Sequence, residues 1–83
     1  MSEIQDLINI GSVLSERIEE AGIGTATDLE EMGAKRAFLL VKGVYSEACI
    51  NHLYAIEGAI QGIRWHHLSS EIKADLKNFY DSL

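Results

Sequence analysis

The chain has 83 residues, 47% of them hydrophobic, with one cysteine, no proline, a formal charge of −6 and a pI near 4.8. That length holds one domain, near the lower size at which a hydrophobic core stabilises a fold without staples. A single cysteine excludes an internal disulfide, charges recur too often for a membrane span, and the acidic MSEIQDL start lacks a signal peptide's basic n-region, so the chain reads as a soluble cytoplasmic protein.

Apolar residues recur at helical spacing throughout and never alternate as in a strand, which predicts an all-α fold of five to six short helices in one domain, 1–83. Ser2 and Gln5 have the spacing of a capping box, and Ile4, Leu7 and Ile8 share one face of a first helix. Asn9-Ile10-Gly11 stops it with a tight turn, Ile10 pointing to the core. A second helix over 12–21 puts Leu14, Ile18 and Ala21 inside and Glu16, Glu19 and Glu20 outside, and Gly22 is its left-handed stop with Ile23 as the hydrophobic contact. Thr25 opens a third helix with Ala26, Leu29 and Met32 inward, and Gly33 ends it.

A fourth helix over 34–42 carries the Ala37–Val41 run, apolar nearly all round, which predicts a place between neighbours. Ser46 is the expected N-cap of the longest helix, 47–61, whose inner stripe is Cys49, Leu53, Ile56, Ile60 and Ile63. Its small residues, Ala48, Ala55, Gly58, Ala59 and Gly62, let another backbone come close. The Gly58–Gly62 spacing favours intramolecular packing, with a homodimer seam as the alternative. After Arg64–Leu68, with Trp65 as a lid on the core, Ser69 caps a last helix with Ile72, Leu76, Phe79 and Leu83 on one stripe.

Three groups of residues now resemble one family. They are Asn9-Ile10-Gly11 with Leu14 and Ile18; Ala21-Gly22-Ile23 with Thr25, Asp28-Leu29 and Met32-Gly33-Ala34; and Leu53 to Ile60 with Gly62, Trp65, Leu68 and Lys73. In order and spacing they look like the C-terminal domain of the TfoX/Sxy regulators of bacterial competence, in a stand-alone form without the N-terminal domain of longer members. Ile8 stands where the family usually has proline. The resemblance implies a helix-hairpin-helix-like (SAM-like) N-terminal half, a regulatory role in DNA uptake or gene expression, no enzymatic activity and no cofactor.

Charge then separates two kinds of partner. Residues 1–33 hold eight acids against one base, Arg17, for a net −7, whereas residues 34–83 hold five acids against six bases. A helix-hairpin-helix that grips DNA offers backbone amides beside Lys or Arg, yet Gly11 is followed by Ser12, Val13, Leu14, Ser15 and Glu16. Such a negative segment repels phosphates, so the hairpin reads as scaffold. The leading expectation is a protein partner with a basic surface, met by Glu16, Glu19, Glu20, Glu30 and Glu31. The runner-up is nucleic-acid contact by Lys35, Arg36, Lys42, Arg64, Lys73 and Lys77, on the fourth and last helices and the linker between. Cys49, His52, His66 and His67 lack the spacing of a metal site and read as structural. Glu57 reads as a structural ion pair with Arg64 or Lys42, or as a surface charge.

Overall fold

Helices form where the sequence supplies a cap, an apolar stripe and a stop. In the computed structural model, which describes residues 4–83, they are α1 (Ser12–Glu20), α2 (Ala26–Met32), α3 (Ala34–Val44), α4 (Ile50–Gln61) and α5 (Ser70–Asp81). Single 3-10 turns stand at Ile4–Asp6 and Trp65–His67, and the described residues contain no strand. The expected Ser2–Gln5 capping box falls outside the described residues. In place of a regular first helix they show only the turn Ile4–Asp6, although Ile4 and Ile10 both reach the core.

Two helices end by the same device. Ile23 N–H donates to Ile18 C=O and Gly22 N–H to Glu19 C=O at the end of α1; Ile63 to Gly58 and Gly62 to Ala59 repeat the pattern after α4. These are paired Schellman bonds, and they require φ of +94° at Gly22 and +75° at Gly62, a region that glycine enters without a Cβ penalty. At helix starts, the Thr25 and Ser69 hydroxyls accept from Asp28 N–H (3.1 Å) and Ile72 N–H (3.2 Å) as expected.

α4 starts later than the sequence suggested. Ser46 is not its cap, because α3 runs on through Gly43 and Val44 and residues 46–47 form a turn. Cys49 takes the N-cap position instead. Its backbone N–H donates to His52 Nδ1 at 3.0 Å, and its side chain accepts from the His52 backbone N–H, a capping box built from Cys and His.

The core lies where α3 and α4 cross, closed by α1, α2 and α5. Ile18, Ile23, Leu29, Phe38, Val41, Leu53 and Ile56 are fully buried there. Phe38 also meets the Tyr80 ring at 5.8 Å, so the last helix packs through Leu76 and Tyr80 with Ile72 and Phe79 half-buried, while Leu83 is exposed. α3 departs furthest from expectation. Its neighbours cover only the face of Ala34, Ala37, Phe38 and Val41, leaving Leu39, Leu40 and Val44 in solvent.

Candidate functional site

α1 and α2 present the five acids singled out from the sequence, and all five are exposed. Their direction follows from the apolar stripes: burying Leu14 and Ile18 turns Glu16, Glu19 and Glu20 outward, and burying Ala26 and Leu29 does the same for Glu30 and Glu31. Four of the five stand in the last turn of their helix, Glu19 and Glu20 on α1, Glu30 and Glu31 on α2. A helix C-terminus already carries partial negative charge, so an acid there is destabilising by roughly 0.3–1 kcal/mol.

The lone base of this half is turned to local use. Arg17 pairs with Glu20 at 2.8 Å, and its guanidinium lies 5.2 Å from the Tyr45 ring centroid. Beyond the end of α1 lies a cleft of about 400 Å³ rimmed by Gly22, Asp28, Glu31, Met32 and Arg36, so Glu31 is the one of the five acids that lines it. A second open cleft of about 430 Å³ continues past Met32 and Arg36 to Glu57, Ile72 and Leu76. Glu57 on its wall makes no ion pair with Arg64 or Lys42; it accepts from Gln61 Nε2 at 2.7 Å, four positions along the same helix.

The six cations of the second half are dispersed, and four have intramolecular partners. Lys35 joins α3 to α5 through Asp75 (2.7 Å), and Lys77 binds Asp81 (2.8 Å), which holds its ammonium pKa above the ordinary lysine value. Lys42 Nζ donates to the carbonyls of Ser46 (3.2 Å) and Ala48 (3.1 Å), holding the loop before α4. Lys73 Nζ donates to His66 C=O (3.3 Å) and sits 5.8 Å from the Trp65 ring. Arg36 rims the clefts, and exposed Arg64 precedes the 3-10 turn.

The residue that sequence reasoning underrated is Asn9. Its left-handed backbone (φ +72°) was legible as a turn. Its side chain does more: Nδ2 donates to Ile63 C=O (2.8 Å) and Oδ1 accepts from Trp65 N–H (3.2 Å), tying the N-terminal turn to the end of α4. Gly58 makes room for this clasp, since a Cβ there would lie 2.5 Å from Asn9 Nδ2 and 2.8 Å from Ile63 O. The close approach predicted for the small-residue stripe is therefore intramolecular at Gly58. Trp65, half-buried, stacks on Tyr54 at 5.8 Å and against His66 at 4.0 Å. No set of His, Cys, Asp and Glu among the described residues has the arrangement of a metal site, and no described helix is long and apolar enough to cross a membrane.

The family described as the TfoX C-terminal domain matches residues 1–80. Two solved structures of Listeria monocytogenes proteins share the fold. One, an uncharacterized protein in a triclinic crystal form, is 44% identical with a TM-score of 0.95, the match covering 98% of this chain and 92% of that one. The other, a protein of unknown function in a tetragonal form, is 46% identical with a TM-score of 0.92, covering 95% and 98%. None of the curated proteins matches the chain.

Proposed function

The chain belongs to the TfoX C-terminal domain family, and from that membership and its charge map we propose a non-enzymatic, regulatory protein-interaction module of the competence-regulator type, whose acidic face takes a basic protein partner. The observation that carries this reading is the placement of Glu19, Glu20, Glu30 and Glu31, all exposed, at the negative ends of two helices, with Glu31 on the rim of a cleft. Among the described residues Glu20 has an intramolecular cation, Arg17, while folding does not call for the other three acids there. A cationic partner surface does, since complementary charge speeds encounter and rejects wrong partners.

The same map argues against the DNA-binding alternative. Affinity for DNA comes chiefly from cations that replace condensed counterions, and Lys35, Lys42, Lys73 and Lys77 already serve acids and carbonyls of their own chain. A helix-hairpin-helix grip at Gly11 to Val13 would bring phosphate beside the exposed Glu16. Fluorescence anisotropy with duplex DNA separates the two readings. No binding is expected even at about 20 mM salt, and an affinity falling steeply with salt, which reports neutralised phosphates, would overturn the proposal in favour of α3 and α5.

A further inference from the structure

Among the described residues, none covers the apolar outer face of α3, which stays exposed. Arg36, Leu39, Leu40, Gly43 and Val44 follow the i, i+3, i+4, i+7, i+8 spacing of a single helical stripe. Leu39, Leu40 and Val44 are 46%, 39% and 47% exposed, and nothing lies within 4 Å of a Cβ built on Gly43. The opposite face of this helix already supplies the core residues Ala37, Phe38 and Val41. Gly43 stands in the last turn of α3, where glycine is still a poorer helix former than alanine, and among the described residues nothing packs against it to offset that cost. What Gly43 does provide is a notch between Leu39, Leu40 and Val44, into which a second helix can settle closely.

We propose that this stripe is the seam of a homodimer in which two α3 helices pack antiparallel about a two-fold axis. Charge selects a second copy as the occupant. The midpoint of the apolar stripe falls between Val41 and Lys42, and Arg36 and Glu47 stand the same number of positions to either side of it. Glu47 lies exposed in the turn just beyond α3, so an antiparallel partner brings each Arg36 toward the other copy's Glu47 and opposes the two helix dipoles favourably. The arrangement gives an apolar centre with a charged rim, the usual anatomy of an interface. A standard interface takes about 800 Å² from each partner, a large share of the 4827 Å² exposed here. A stripe this short therefore gives a weak dimer, with Kd on the order of 10–100 μM. The seam shares Arg36 with the cleft beside Glu31 but uses none of the five acids, and either proposal stands if the other fails.

Sedimentation equilibrium between about 10 μM and 1 mM chain spans that range of Kd and tests the proposal. The expected result is an average mass rising from 9.2 kDa toward twice that value. Leu40→Lys, at an exposed position and checked for retained helicity by circular dichroism, is expected to stay monomeric. Arg36→Glu alone is expected to weaken association at least tenfold, and adding Glu47→Arg to restore it. A single-chain mass at every concentration, self-association unaffected by Leu40→Lys, or a charge swap that fails to restore it would each overturn the proposal. So would a monomeric chain that uses Leu40 only to hold a different protein.

Discussion

Asn9 combines a left-handed turn with two long-range hydrogen bonds, and each function sets its own requirement. Asn9→Ala loses both bonds, leaves Trp65 N–H without that acceptor and puts a less tolerant residue at φ +72°. A loss of about 2–4 kcal/mol in urea unfolding is expected, the sum of an unmet polar group and backbone strain. Gly58→Ala attacks the same clasp from the other side and should cost about 1–3 kcal/mol by overpacking. Because both changes act on one contact, their combined cost should be smaller than the sum, and simple additivity would show that the clasp is not shared. His52 is the other residue with a checkable consequence. Burial lowers its pKa below 6.5, and protonating Nδ1 would remove the acceptor that caps Cys49. A group whose folded pKa is depressed stabilises the fold above its unfolded value and loses that contribution as pH falls through the folded one. Stability should therefore decline as pH drops below 6.5, and His52→Gln, which keeps a neutral acceptor, should flatten that part of the curve. An unchanged curve in the variant would remove His52 as the cause.

At the scale of elements, the local signals were legible and the distant ones were not. Thr25, Ser69 and Gly22 act within a few positions of themselves, so their caps and stop could be read from spacing alone, whereas Gly62, read as part of the close-packing stripe, is the left-handed stop of α4. The start of α4 was misread because Ser46 is the better intrinsic cap, whereas Cys49 gains a reciprocal partner in His52 that only the folded helix supplies. The Asn9 clasp joins positions more than fifty residues apart, and Lys35 finds Asp75 across two helices; no periodicity announces either. For α3 the apolar run was evident, yet composition does not say how many sides its neighbours cover. The candidate acids were readable because they occupy the positions left over once Leu14, Ile18 and Leu29 turn inward. Leu53 tests the element that α3, α2 and α5 pack against. It is fully buried on α4, so Leu53→Ala should cost about 2–5 kcal/mol, and a loss below about 1 would contradict the packing described.

Over the whole molecule, charge and apolar surface are segregated. The first two helices carry the exposed acids, the second half has a small positive excess partly held in intramolecular pairs, and α3 turns an apolar stripe outward. This segregation gives the chain two distinct faces, one acidic and one apolar. On the proposed reading the acidic face sets partner choice, and its exposed acids can be changed while the core is left alone. Glu19→Lys with Glu31→Lys replaces acids at two helix C-termini by bases, which should leave stability unchanged or raise it by up to about 1 kcal/mol per site. A pull-down from native extract with the wild-type chain and this double variant, both verified as folded, tests the central claim most directly. The account predicts a basic protein retained by the wild type and lost by the variant; the same proteins retained equally by both would contradict it.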